Sequence, residues 1–179
     1  ESRKSQLREV ASLSELQLKD VDGAVSAYRQ ILSLDRSDDS ARAALHRLLE
    51  RNQRWDDLAS LLEQEAMAAA DPEAQIALDK RLAELHESKR DDKRGAAEAL
   101  LRVLMHAPHD EDVLRHAIAL LEDAGDFARA ILALNETLPA IDPGPTKGSL
   151  LARQSVLQER QGNAEAAADI ALAAAEMLQ

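Results

Sequence analysis

An all-α solenoid of about five helix-turn-helix repeats is the fold class this sequence predicts. Three observations carry it: the make-up of the apolar residues, internal self-similarity, and evenly spaced stop signals. The chain has 179 residues and is 45% hydrophobic, yet it holds one Trp, one Tyr and one Phe. The apolar mass is Leu and Ala, which are strong helix formers, and β-branched residues are few. Six Gly and five Pro leave little punctuation for a β-rich fold. The segment 27–41, AYRQILSLDRSDDSA, then matches the pattern of 99–113, ALLRVLMHAPHDEDV, at an offset of 72. The same offset lays Gly23-Ala24 on Gly95-Ala96 and Arg54-Trp55 on Asp126-Phe127, and an offset of 71 lays Ala96-Ala97 on Ala167-Ala168. Half of 72 is 36, close to the period of a two-helix repeat.

Apolar spacing places ten antiparallel helices in order, at 5–19, 21–34, 38–52, 54–69, 73–89, 91–106, 110–124, 126–139, 147–161 and 163–178. The first two are separated at Asp20, and the second pair opens after Arg36-Ser37-Asp38. Gln53, Asp71-Pro72, Pro108, Gly125 and Gly162 mark the later breaks. Asp, Ser and Asn at these points suit N-caps, because their side chains accept from the free N–H groups of a helix start. The segment 140–148, AIDPGPTKG, is the one substantial loop, since its Pro and Gly oppose helix. The repeats therefore run roughly 5–35, 38–70, 73–107, 110–140 and 147–178. Within pairs, Ala24, Tyr28 and Ile31, then Leu58 and Leu62, then Ala130 and Leu134, form the stripes along which two helices touch. One pair cannot bury both of its faces, so the repeats are expected to stack as a single domain over residues 1–179.

Charge narrows the function. The net charge is −11, from 33 acidic and 22 basic residues, and such a field repels nucleic acid and anionic membranes. There is no Cys, which excludes disulfide and thiol chemistry. No run approaches the roughly 20 apolar residues of a membrane span, so no membrane insertion is expected. The chain opens at Glu1 rather than Met and shows no signal peptide. It is expected to be a fragment of a longer protein, with a cytoplasmic location unless a targeting signal lies outside it.

Three segments carry a family resemblance. AVSAYRQILSLDRSDD (24–39) is similar to the second helix and exit of a tetratricopeptide repeat, with Ala24, Tyr28 and Asp35 in place. RLAELHE (81–87) is similar to the family's Leu-Gly-Tyr segment, with Leu82, Ala83 and His86 at those positions. GDFARAI (125–131) reproduces the turn and the Ala that follows, and Pro108 stands where the repeat closes. The chain thus resembles a degenerate TPR-like family over essentially its whole length. Repeats one and three carry an extra residue in the turn. The resemblance implies a right-handed α-solenoid whose first helices line a concave groove, and a role in binding peptides or protein segments.

Two charge sets mark that expected groove. Glu15, Glu50, Glu87, Glu122 and Glu159 recur at spacings of 35, 37, 35 and 37. About two turns upstream lie Arg8, Lys80, Arg81, Arg115, His116 and Arg153, with Arg47 one turn along. Guanidinium groups recognise carboxylates through paired planar hydrogen bonds, so an acidic segment of a protein or peptide is the expected guest. Ordinary solvated helix surface, with acids and bases pairing among themselves, accounts for the same residues. The cluster HAPHDED (106–112) has metal-ligand types but sits where capping acids are expected, so no metal and no cofactor are expected. Trp55 and Phe127 open equivalent helices and are expected to pack. No phosphate-binding glycine loop, nucleophile elbow or H-E-x-x-H motif is present, and the chain is not expected to be an enzyme. The expected function is a protein-protein interaction scaffold. The alternative is a structural spacer or self-assembly segment, because the last helix, AEAAADIALAAAEML (164–178), is apolar around much of its circumference.

Overall fold

The computed structural model describes residues 2–178, the side chain of Gln17 excepted, and within them every regular element is helical. α1 spans Arg3–Leu13, α2 Val21–Leu34, α3 Asp39–Arg51, α4 Trp55–Ala68 and α5 Pro72–Leu85. α6 spans Lys93–His106, α7 Glu111–Asp123, α8 Phe127–Thr137, α9 Pro145–Arg160 and α10 Ala164–Met177. All ten expected helices are present among the described residues, with most ends within two residues of the expected ones; α1 and α5 stop at Leu13 and Leu85, short of the expected 19 and 89. The chain divides into two compact units, one up to Leu61 and one from Leu62, and the division falls inside α4.

Aspartate starts most of these helices. Asp20, Asp38, Asp71, Asp92, Asp110 and Asp126 each accept from the backbone N–H three residues on. That bond satisfies one of the orphan donors of a helix start, and the carboxylate also meets the positive end of the helix dipole.

The extra residue of repeats one and three has a structural form. After α1 and α5 the last turn widens to a π-helical turn, Ser14–Leu18 and His86–Arg90, two segments 72 residues apart. Each closes on a left-handed residue, Lys19 at φ 53° and Asp91 at φ 51°. The Asp20 N–H then donates to the Ser14 carbonyl at 2.8 Å, and the Asp92 N–H to the His86 carbonyl at 3.0 Å. Repeats two and four exit one residue sooner. There Gln53 and Gly125 take the left-handed conformation, and the Arg54 and Asp126 N–H groups donate to Leu49 and Leu121 at 2.9 and 2.8 Å. Both exits satisfy the terminal carbonyls, so the helix pair tolerates the longer spacing.

His86 gives the third-repeat turn a dependence on pH. Its ring is buried, and Nδ1 lies 2.8 Å from an Arg90 guanidinium nitrogen and 2.9 Å from an Asp92 carboxylate oxygen. Burial lowers its pKa below the ordinary 6.5. Asp92 and Glu63 oppose this, and Arg90 adds to it. A histidine depressed in the folded state contributes stability that is complete above its unfolded pKa and is lost on acidification. The urea midpoint is therefore expected to be lower at pH 5 than at pH 7. Replacing His86 with Ser, the residue at the equivalent position 14, should flatten that dependence. An unchanged slope would show that His86 does not carry it.

In the first unit, Ala11, Ala24, Ile31, Leu45 and Leu49 are fully buried. In the second, Leu82, Val103, Leu114, Ile118, Leu121 and Leu134 are. The stripe residues expected to touch, Ala24, Ile31, Leu58, Leu62, Ala130 and Leu134, are at most 2% exposed. Tyr28 departs from its stripe and stays partly exposed.

The loop before the last pair is shorter than the sequence implied. Leu138–Ala140 forms one 3-10 turn, and α9 opens at Pro145. Proline suits a first helical position because its missing N–H would have no partner there. Gly148 therefore lies inside α9. A Cβ on it would stand 2.9 Å from Leu178 Cγ and 3.2 Å from the Ala174 carbonyl oxygen. Glycine here lets α9 and α10 approach closely.

Candidate protein-interaction face

Most residues of the two charge sets pair across neighbouring first helices, and two of those pairs, His116–Glu87 and Arg153–Glu122, join one set to the other. In the first unit Arg51 of α3 lies 3.5 Å from Glu15, beside α1, and Arg8 of α1 lies 2.6 Å from Asp38, the cap of α3. In the second unit His116 of α7 lies 3.0 Å from Glu87 after α5, and Arg153 of α9 lies 2.6 Å from Glu122 of α7. Lys80 of α5 reaches Asp110, the cap of α7, at 3.5 Å. Arg115 pairs within its own helix, with Asp112. Glu50 and Arg81 stand exposed on α3 and α5, and Glu159 is exposed on α9.

The acidic and basic sets are thus largely cross-helix pairs rather than two open walls. Exposed pairs such as His116–Glu87 contribute at most about 1 kcal/mol each and are screened by salt. Second helices are linked in the same way. Asp22 of α2 pairs with Arg54 at 2.6 Å, and Arg94 of α6 pairs with Asp126 at 3.2 Å. Those four positions are related by the 72-residue offset with the charges exchanged, so one geometry serves both polarities.

Arg47 differs from the rest of the basic set. It is exposed on α3, and among the described residues no acidic side chain pairs with it. It borders an open cleft of about 390 Å3 lined by Arg8 of α1, Tyr28 of α2, and Ser40, Ala41, Ala43 and Ala44 of α3. The small α3 side chains leave the floor accessible. Tyr28 O–H points to Glu15 at a distance of 3.5 Å. Burial first, then Glu15, raises the phenol above its ordinary pKa of 10.0, with Arg47 opposing. The hydroxyl therefore stays protonated at neutral pH. Lys4 and Arg8 both hold Asp38, and Lys4 most of all keeps that carboxyl below the ordinary 3.8.

Aromatic side chains serve as binding anchors, and of Tyr28, Trp55 and Phe127 it is Tyr28 that borders this cleft. The signal that could have singled it out is its position. Repeat equivalents Leu62, Leu100 and Leu134 are buried leucines, and the tyrosine alone carries a polar tip there. Trp55 and Phe127 are half-buried at the openings of α4 and α8, and the Arg160 guanidinium lies 5.4 Å from the Phe127 ring centroid. In the 106–112 segment Asp110 is taken up as the cap of α7. Among the described residues no group of three or more His, Asp or Glu comes together as metal ligands do, and no helix is long and apolar enough to cross a membrane.

No protein-family model matches the chain, and no curated protein matches it. Among solved structures it is similar to MamA at 20% identity and a TM-score of 0.46, covering 99% of this chain and 95% of that one. A second MamA structure, MamA MSR-1 C2, gives 20% identity and 0.46, covering 98% and 96%. A tetratricopeptide repeat protein from Parabacteroides merdae ATCC 43184 gives 16% identity and 0.36, covering 98% of this chain and 66% of that one. The chain's own helices make the fold all-α, built of consecutive helix-turn-helix repeats.

Proposed function

We propose that this chain is a protein-interaction scaffold that holds an acidic peptide segment on the first-helix face of its N-terminal unit. The observation that supports this most is the cleft bordered by Arg47, Tyr28 and Arg8, where one guanidinium has no acidic partner among the described residues. A carboxylate entering there meets the planar donor fork of Arg47 and displaces little structure, because Ser40, Ala43 and Ala44 are small. Arg8 adds positive charge at the rim while keeping Asp38 as its internal partner. The remaining members of the basic set, Lys80, Arg81, Arg115, His116 and Arg153, lie on the second unit. Their claim is weaker, because Lys80, Arg115, His116 and Arg153 are already paired.

Selection of a displayed random peptide library on the purified chain tests the reading. Recovered peptides should be enriched in Asp and Glu, and their affinity should fall as salt is raised. Arg47→Glu is expected to weaken binding at least about tenfold, with helicity unchanged, because the residue is exposed. Arg81→Glu with Arg115→Glu should have the smaller effect. Peptides without acidic enrichment, or loss of binding only in the second pair of changes, would remove the Arg47 cleft as the site.

A further inference from the structure

One ring nitrogen in the third-repeat turn faces a donor and an acceptor at once. His86 opens the π-helical turn after α5 and is 4% exposed. Its Nδ1 lies 2.8 Å from an Arg90 guanidinium nitrogen and 2.9 Å from an Asp92 carboxylate oxygen, and the same two Arg90 and Asp92 atoms are 3.6 Å apart. A guanidinium only donates and an ionised carboxylate only accepts. A neutral Nδ1 with its lone pair therefore suits Arg90 and opposes Asp92, whereas a protonated Nδ1 does the reverse. The charged groups around the ring are Arg90 in the turn, Asp92 at the start of α6 and Glu63 on α4. Burial first, and Arg90 with it, favour the neutral ring, while Asp92 and Glu63 favour the cation.

The frame that holds this nitrogen is fixed. The His86 carbonyl accepts from the Asp92 N–H at 3.0 Å, and the other Asp92 carboxylate oxygen accepts from the Gly95 N–H at 2.8 Å. A Cβ on Gly95 would stand 2.7 Å from Nδ1, so the glycine leaves the ring its place. Repeat one builds the same frame 72 residues earlier from Ser14, Asp20 and Gly23. The Ser14 hydroxyl both donates and accepts, and it does not titrate where a histidine does. Arg90 is the member able to move, since its side chain is 27% exposed. We propose that His86 is a proton-driven partner switch, with Nδ1 accepting from Arg90 when neutral and donating to Asp92 when protonated. The proton comes from solvent onto Nδ1, only hydrogen bonds are exchanged, and Arg90 is displaced from the ring. The loss of stability in acid needs no more than a buried ring, whereas the switch also requires this exchange within a folded turn. It is separate from the Arg47 cleft, which belongs to the other unit.

Nuclear magnetic resonance of the isotopically labelled full chain, titrated from about pH 8 to about pH 4.5, tests this. The ring nitrogen shifts should show neutral His86 with its proton on Nε2, which leaves Nδ1 as the acceptor. The Arg90 side-chain N–H signals should move with the same midpoint as the His86 ring, and in His86→Ser that movement should be absent. Arg90→Gln should carry the His86 midpoint to higher pH, because it removes a cation from beside the ring. Asp92→Asn should carry it lower, and asparagine still caps α6. A neutral His86 with its proton on Nδ1 overturns the proposal, since the ring would then donate to Asp92 throughout. Arg90 signals that ignore the His86 midpoint, or that titrate unchanged in His86→Ser, overturn it too. So does a His86 midpoint that Arg90→Gln leaves in place. Loss of helix by circular dichroism at the same midpoint also overturns it, because the exchange takes place in the folded chain.

Discussion

Leu114→Ala is expected to destabilise the C-terminal unit by about 3 kcal/mol, within the range seen when a fully buried leucine is truncated. Leu114 is fully buried on α7, the helix that α6 packs against within the unit. Truncation removes the transfer free energy of the lost carbons. It also leaves a cavity, because helix axes held by several neighbouring side chains close only partly over the gap. In urea the midpoint of the far-ultraviolet signal should fall by about 1–2 M with little change in slope. Leu172→Ala is the matched control. It removes the same atoms from a side chain that is 66% exposed, and its effect should stay within about 0.5 kcal/mol. Equal effects from the two changes would mean that Leu114 does not sit in a packed seam.

Asp79→Ala is expected to cost about 2 kcal/mol for a different reason. The Asp79 carboxylate is 5% exposed on α5, and it takes Nε and NH2 of Arg102 on α6 at 2.8 and 2.7 Å. Two bonds to one oxygen tie the helices of repeat three together. Removing the acid leaves a guanidinium without its partner, although the Arg102 side chain is 38% exposed and can turn partly to water. That exposure keeps the loss below what a sealed pair would show. The double change Asp79→Leu with Arg102→Leu should recover most of the stability, because neither charge is then stranded. A double variant as unstable as the sum of the two single ones would mean that the residues do not interact.

The contrast between these sites and the first-helix charges explains why the most visible sequence feature is not the most stabilising one. The recurring glutamates and cations stand out because they repeat. Glu87–His116 and Glu122–Arg153 nevertheless lie at helix surfaces, where water competes for both partners. Asp79 has no repeat signature and is expected to carry more. Its importance comes from burial, which no spacing rule reports.

What the sequence determined by itself was local. Ten helices, their order and most of their ends follow from apolar spacing and capping aspartates, which act within about four residues along the chain. Asp20, Asp38 and Asp71 are at once stop signals in the sequence and caps in the structure. Even the surplus residue of repeats one and three is visible as a count. Only the folded chain shows it as a π-helical turn at Ser14–Leu18 and His86–Arg90. Tertiary structure alone decided which charges meet, since Arg51–Glu15 and Arg153–Glu122 join residues more than 30 positions apart. It decided that Arg47 is left beside Tyr28 while its neighbours are paired. Those outcomes depend on how far apart two helices lie and how each is rotated. Packing among many side chains sets both, so no single segment encodes them.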